Sequence, residues 1–495
     1  MRIAWLSALL LLTLLGVVLF YFTEDPFEPV FVLGFTLAIV GGISAALLLT
    51  YYLTQSRALW KRFLGYGCRT FLLLVTFSAV VVVPNYRALF FHRLRTEEWR
   101  DDLKYLVGRI TQLHPNAFSK HSHEEFENAV KALNQQIPTL TAPEIVMELA
   151  KIVALVGDGH TDLIPFQPAT GFSMYPLQLF DFADGLYIIA AAPRYRNFAG
   201  WKLVKIGDSR VEDISGILQK HIGADNEWTV KDRAPLYYVC REFLQSQRVI
   251  APNEEARFTV VNDNGQVRSF VAKPTSLLRY FYWYFKPLQK WKYNPAPKAT
   301  TPLSQRNPTQ NYWFTYLPSS ETLFFKFNQI RESGSESFNG FTKRLFRFAR
   351  SHPVKAFVID LRDNSGGDNT IPRPFVKELS ADPLLNRRGS LFTLIGRHTF
   401  SAAVNFTSML ENETNTTFVG EPTGAGPNHY GDPKLILLPH SKLVVLIATR
   451  WWQFGDPSDT RREHSAGIPV DVTHADYFGG HDRALDAAVT AADDR

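Results

Sequence analysis

The sequence predicts a layered α/β core at its C-terminal end, preceded by a helical section, a β-rich insert and a hydrophobic N-terminal region. Three observations carry this. From Tyr312 onward short apolar runs alternate with amphipathic helical stretches. Between Phe172 and Ala272 the pattern is one of short strands, and before residue 88 long apolar runs dominate. Strand–helix alternation implies an α/β layer structure, because each helix must bury its apolar stripe against a sheet.

At 495 residues the chain exceeds what one core accommodates, so two or three domains are expected. A composition of 46% hydrophobic and 20% charged residues is globular. The net charge of +6 is spread along the chain without a Lys/Arg block, which argues against a nucleic-acid partner. Two cysteines, Cys68 and Cys240, fit neither a disulfide framework nor a zinc set.

Residues 1–88 read as a membrane anchor. Ile3 to Phe22 is almost wholly apolar and long enough for a bilayer core of ~30 Å. Val30 to Leu53 is a second such run, and Phe63 to Val83 a third, interrupted by Arg69 and ended by Pro84. The first run lacks an A-x-A cleavage site and is longer than a usual signal h-region, so it is expected to be retained, with a cleaved signal peptide as the alternative. Thr23–Pro29 carries Glu24, Asp25 and Glu28, whereas Arg57, Lys61, Arg62 and Arg69 follow the second run. The positive-inside rule puts the second connection in the cytoplasm. If the third run spans, all that follows Pro84 is extracytoplasmic; if it lies on the surface, the large domain is cytoplasmic. The expectation taken is two or three spans in an inner or plasma membrane, with the large domain on the extracytoplasmic (periplasmic) side.

Residues 89–165 form the helical section. Trp99, Leu103, Leu106, Val107, Ile110 and Leu113 recur at helical spacing over Glu97–Leu113, and His114-Pro115-Asn116 stops that helix. Helices are also expected over Glu124–Gln136 and Ala142–Val156, with Thr141 as N-cap. Residues 166–275 form the β-rich insert, with strands at Leu186–Ala192, Lys202–Ile206, Arg257–Val261 and Ser269–Ala272 and a helix near Asp213–His221. The order strand, Gly-Asp turn, strand, helix in "AGWKLVKIGDSRVEDI" (Ala199–Ile214) resembles a PDZ domain, which binds extended peptides by strand addition. A β-rich insert without a peptide groove fits the same residues.

Residues 276–310, aromatic and then Pro-, Thr- and Asn-rich, read as a linker, and 311–495 as the α/β core. Strands are expected at Leu323–Asn328, Val354–Leu361, Ser390–Ile395, Thr417–Val419, Lys434–Leu438 and Leu443–Thr449. Helices are expected at Phe338–Ser351, Arg373–Ser380 and Ser401–Glu411.

Three places could carry chemistry. In Gly157-Asp158-Gly159-His160-Thr161 two glycines let the backbone turn around a histidine, which is either a solvated loop residue or a base. In "IGRHTFSAAVNF" a strand runs into a helix at Ser401. That serine is either an N-cap or a nucleophile with the Ala402 N–H at its oxyanion. "FVIDLRDNSGGDN" ends an apolar strand in Asn364-Ser365-Gly366-Gly367, either a turn or a set of N–H groups aimed into a cavity. Asp360, Arg362 and Asp363 read as structural support, with Arg362 and Asp158 as a possible pair between loops.

In their order along the chain these motifs resemble the tail-specific or C-terminal processing serine peptidases, in particular the tricorn-like and retinoid-binding-protein-like branch, over about Trp99 to Val489. The resemblance implies a ClpP/crotonase-like layered α/β core. It makes Ser401 the nucleophile and puts the Ala402 N–H and an N–H of Gly366 or Gly367 in the oxyanion hole. The Ser-Lys branch of the family carries its base in a G-x-K-T-x-G context. Here that stretch is Gly420-Glu421-Pro422-Thr423-Gly424, with Pro422 at the lysine position, and Lys434 lies in another segment. The other branch uses a histidine from the helix-end loop and a late glutamate. His160 matches the first; within "REHSAGIPVDV" Glu463 is the choice for the second and His464 its rival.

A neutral His160 could take the Ser401 proton near pH 7, and a carboxylate on its other nitrogen would steady the imidazolium. Such a hydrolase uses a polypeptide substrate and needs no metal or organic cofactor. The leading alternative is an inactive, peptide-binding or scaffold relative. An α/β-hydrolase esterase ranks low because no G-x-S-x-G surrounds Ser401, and a transporter because the part after the apolar runs is so large.

Overall fold

The computed structural model describes residues 94–285 and 301–494. The three apolar runs and Cys68 lie outside that range. No helix among the described residues is long and apolar enough to cross a membrane. The chain divides into two units. In the smaller, Ser173–Met174 pairs antiparallel with Thr275–Ser276, and the helix Leu277–Phe285 follows. Everything below belongs to the larger.

Helix α1 (Thr96–Leu113) buries Trp99, Leu103, Leu106 and Ile110, the stripe expected from their spacing. In α2 (His123–Gln136) the Ser122 hydroxyl accepts the Glu125 N–H while Glu125 accepts the Ser122 N–H, a reciprocal cap. Before α3 (Ala142–Ala154) the Glu144 carboxylate accepts the N–H and hydroxyl of Thr141. The chain then turns through Gly157 at φ 81° into the His160 loop.

The β-rich module comprises β1 (Leu177–Phe182), β2 (Gly185–Ala191), β3 (Lys202–Ile206), β4 (Ser209–Arg210), α4 (Val211–Leu218), α5 (Glu227–Tyr237), α6 (Arg241–Ser246), β5 (Arg257–Val261) and β6 (Val267–Val271). Its antiparallel sheet runs β1-β2-β3-β5-β6, with β4 on β3. The strand–turn–strand–helix of Ala199–Ile214 is present, but a PDZ identity does not follow from it. Helices α5 and α6 were not expected: α5 has no apolar stripe and contains Pro235. Asn226 starts α5 by accepting the Thr229 N–H at 2.9 Å.

The core contains β7 (Tyr312–Leu317), β8 (Thr322–Phe327), α7 (Phe338–Arg350), β9 (Ala356–Asp360), α8 (Arg373–Ala381), β10 (Leu391–Ile395), α9 (Ala402–Glu413), β11 (Thr417–Gly420), β12 (Asn428–Gly431), β13 (Lys434–Leu437), β14 (Val444–Ile447), β15 (Arg450–Gln453), β16 (Ile468–Pro469), α10 (His474–Gly479) and α11 (Arg483–Asp493). Its six-stranded sheet is ordered β16-β11-β10-β9-β8-β7, parallel except for β7. Strands β8, β9 and β10 are buried along their whole length, which is why they read as continuous apolar runs. Alternate residues face opposite layers. Leu323, Phe325, Phe327, Phe357 and Ile359 pack in one core with residues of α7, α8 and α9. Phe324, Val358, Phe392 and Leu394 pack in the other with Ala484, Leu485 and Ala488 of α11. The sheet thus delivers the C-terminal ends of β9 and β10 side by side, and the loops that follow them carry the site.

Candidate active site

Beyond β10, the carbonyl of Phe400 accepts the Ala403 N–H at 3.0 Å, closing a four-residue turn. Ser401 occupies its second position at φ 54°, ψ −127°, the type II′ geometry that glycine normally supplies. A side chain held there stores strain on the order of 1–3 kcal/mol. The expected alternative of an ordinary N-cap does not hold, because the Ser401 hydroxyl makes no cap hydrogen bond. Ala402 opens α9, and no hydrogen bond among the described residues uses its N–H. The residue with the strained backbone therefore sits at a helix N-terminus, where negative charge is favoured.

The Gly366 and Gly367 loop lies against this turn. A Cβ on Gly366 would stand 2.7 Å from the Ala402 nitrogen and 2.8 Å from the Ser401 Cβ. Gly366 and Gly367 adopt φ 107° and 143°, and a Cβ on Gly367 would stand 2.0 Å from the Ile330 carbonyl oxygen. Both positions therefore require glycine, for conformation and for space. Of the three expected oxyanion donors, Gly366 differs from the expectation: its N–H is already taken by Asn364 Oδ1 at 2.9 Å. The N–H groups of Gly367 and Ala402 are in no hydrogen bond among the described residues.

His160 comes from α3's end loop, far upstream, and stacks on Phe400, the residue before Ser401, with ring centroids 4.4 Å apart. Phe400 also lies under the Arg233 guanidinium at 5.4 Å. A Cβ on Gly159 would stand 2.7 Å from the Phe400 ring, so that loop glycine is needed for the histidine to approach. His160 also stacks with His429 of β12, with ring centroids 5.7 Å apart. Neither His160 ring nitrogen has a hydrogen-bond partner among the described residues, so Ser401 and His160 are neighbours through Phe400 and not hydrogen-bonded. Burial, with the charge of His429 adding to it, pushes the His160 imidazole down to about 3; Asp158 and the Tyr430 backbone oppose this. Burial likewise pushes His429 down to about 4.

The His160 loop is built on Asp158. Its Oδ1 accepts the N–H groups of His160 and Thr161, each at 2.8 Å, and its Oδ2 meets His114 Nε2 at 3.1 Å. Burial alone would raise this carboxyl, but the contacts with His114, Thr161 and His160 together hold it low. The neighbouring Asp225, which accepts the Gly159 N–H at 2.9 Å, is pushed up to about 7 by burial and by the Asp158 charge. The anticipated Arg362–Asp158 pair is not formed. Arg362 instead bonds Asp360 and, on two nitrogens, Asp482 at the start of α11, because β9 delivers its side chain toward that helix.

Glu463 is not hydrogen-bonded to His160, neither of whose ring nitrogens has a partner among the described residues. Its rival His464 turns away, with Nε2 at 2.8 Å from Ser408 Oγ and Nδ1 at 3.4 Å from Glu411 Oε2. The Gly420–Gly424 stretch bonds elsewhere: Glu421 pairs with Arg397 and the Thr423 hydroxyl donates to the Ala425 carbonyl. Lys434 is exposed on β13. Sequence reasoning missed Phe400 and His429. The first has only its place next to Ser401 as a signal, and the second, in "NHYG", has none.

No protein-family profile matches the chain, and no curated protein matches it. Solved structures do. A mutant of CPAF aligns at TM-score 0.57 and 11% identity over 80% of this chain and 97% of its own. Mature CPAF complexed with lactacystin aligns at TM-score 0.55 and 12% identity over 81% and 99%. At lower similarity stands the photosystem II D1 C-terminal processing protease, TM-score 0.34 and 13% identity over 79% and 99%. At these identities the likeness is one of fold: the chain has the fold of CPAF across nearly that protein's whole crystallised length.

Proposed function

We propose that the protein is a serine peptidase that hydrolyses polypeptides through an acyl-enzyme, held at a membrane by residues 1–88 with its catalytic part extracytoplasmic. The observation that carries the reading is Ser401 in a strained type II′ turn at the head of α9, its neighbour's N–H unused and Gly366 packed against it. Neutral His160 accepts the Ser401 proton as Oγ bonds to the substrate carbonyl carbon. The N–H groups of Ala402 and the glycine loop hold the oxyanion. The C–N bond breaks as His160 returns the proton to the leaving amine, and water then releases the acyl group by the same route. The carboxylate that helps the imidazolium form in the resting structure is Asp158, which pulls the His160 value upward. Glu463 joins on substrate binding. Catalytic contacts commonly tighten only in the substrate complex.

The unmade Ser401–His160 bond favours a second reading, an inactive peptide-binding relative. Labelling with a fluorophosphonate probe separates them. Labelling of the wild type that vanishes in Ser401→Ala and falls in His160→Ala supports the peptidase. An unlabelled, folded wild type that still binds peptide supports the second reading.

A further inference from the structure

We infer that Asn364 is a positioning residue that withdraws the Gly366 N–H from the site and leaves the Gly367 N–H, with that of Ala402, as the oxyanion donor pair. The inference deepens the peptidase reading and rests on it.

Asn364 is fully buried and every polar group it carries is committed. Its Nδ2 donates to the Phe327 carbonyl at the end of β8 at 2.9 Å, and its Oδ1 accepts the Gly366 N–H at 2.9 Å. Its own N–H donates to the Leu361 carbonyl at 3.0 Å, and its carbonyl accepts the Phe400 N–H at 3.1 Å. One side chain and its backbone thus join the β8 end, the glycine loop and the residue that precedes Ser401. The strand end it grips is itself held. Lys326, fully buried on β8, bonds Asp363 at 2.6 Å and lies 3.2 Å from Asp360.

Peptide geometry supplies the rest. In a trans peptide the N–H points opposite the carbonyl of the preceding residue. The Gly366 carbonyl accepts the Ile330 N–H at 3.1 Å, so the Gly367 N–H points away from Ile330. Gly366, on the same peptide, is the residue in contact with Ser401 and Ala402. The Ile330 carbonyl takes the Asp368 N–H at 2.9 Å, which fixes the far side of the loop. Of the two glycines, Gly367 is therefore the one whose N–H has no partner among the described residues, and it points away from Ile330.

Two measurements test the assignment. Amide hydrogen exchange on the full-length protein should show Gly366 protected and Gly367 unprotected, and Asn364→Ala should release Gly366. After fluorophosphonate labelling, Gly367 and Ala402 should become protected with Gly366 unchanged. New protection at Gly366 in place of Gly367 overturns the inference. In peptide hydrolysis, Asn364→Ala should lower kcat about 10²-fold, the scale of one oxyanion donor, with KM within threefold. Asn364→Asp, which keeps the acceptor for Gly366, should recover at least tenfold of that loss. A variant with wild-type kcat, or one whose loss appears only in KM or in Tm, overturns it as well. Failure of the wild type to label sinks the peptidase reading itself, and exchange on the unlabelled protein still decides between Gly366 and Gly367.

Discussion

Helix α9 carries two serine–histidine sets, and they contrast sharply. Ser408 sits inside the helix, fully buried. Its hydroxyl lies 3.0 Å from the Val404 carbonyl and 2.8 Å from His464 Nε2, and Glu411 stands beyond the histidine, gripped by Arg461 on two nitrogens. On paper it is a Ser–His–Glu triad. Among the described residues Ser401, seven residues earlier, is hydrogen-bonded to no histidine, and neither His160 nitrogen has a partner. Yet Ser401 has the properties a nucleophile needs: partial exposure, a strained turn, a helix N-terminus and unused N–H groups nearby. The Ser408 set has none of them, and its one hydroxyl proton is contested by a backbone carbonyl. The Ser408 hydroxyl and His464 Nε2 are spent on each other inside the fold, with only His464 Nδ1 lacking a hydrogen bond among the described residues; a site holds donors in reserve.

The contrast breaks most readily at the two serines. Ser401→Ala is expected to lower hydrolysis by at least about 10³-fold, in line with loss of a triad member. Ser408→Ala should keep full probe labelling and lose about 1–3 kcal/mol of stability, since it leaves His464 without its partner. Equal activity losses in both would erase the distinction. The histidines come next. His160→Ala should reduce kcat/KM by about 10²–10⁴-fold, the range for a general base, while His464→Phe should move Tm and leave turnover in place. Among the carboxylates, Glu463→Gln should reduce turnover with Tm unchanged, and Glu411→Gln the reverse, as read by peptide kinetics and thermal melts on the same preparations.

A smaller effect should appear in the pH profile. The reactive form of His160 is neutral, and its value is pushed down to about 3. The neutral form therefore persists as pH falls through the ordinary histidine value, and the acid limb of probe labelling should lie well below pH ~6.5. For stability the sign is the opposite of a benefit in acid. Between about pH 6.5 and 3 the unfolded chain takes up protons at His160 and His429 that the folded chain refuses, so these two residues make stability fall with pH. Asp225, raised to about 7, acts against them. His429→Phe should accordingly be less acid-sensitive in urea melts than the wild type. The smallest effect is Ser401→Gly, expected to gain about 1 kcal/mol by releasing the strained turn. A loss there would mean that the turn stores no strain.

Much of the core was legible because its strands are buried on both faces. Strands β8, β9 and β10 appear as apolar runs, and the structure finds them within two residues of the expected bounds at each end. Helix α1 followed from its apolar spacing, and α2, α3, α7, α8 and α9 lie within two residues of their expected bounds. Helix α5 stayed hidden because it lacks a stripe, and β12 and β15 because their strands are short and polar. At the site, Ser401, Ala402 and the glycine pair were legible as a helix start and a glycine-rich strand end. Which glycine keeps its N–H free was not, since the Asn364 contact that decides it depends on how the loop packs against β8.

Sequence alone determined the strand–helix alternation, the glycines that bend the two loops, and the three apolar runs before residue 88. Those are local properties, written in periodicity and backbone freedom. The tertiary structure decided what meets what: His160 against Phe400 across 240 residues, His464 with Ser408 and not with Ser401, and Arg362 with Asp482 and not with Asp158. Contacts between residues so far apart in the chain are set by the order of strands in the sheet, and no local pattern records that order.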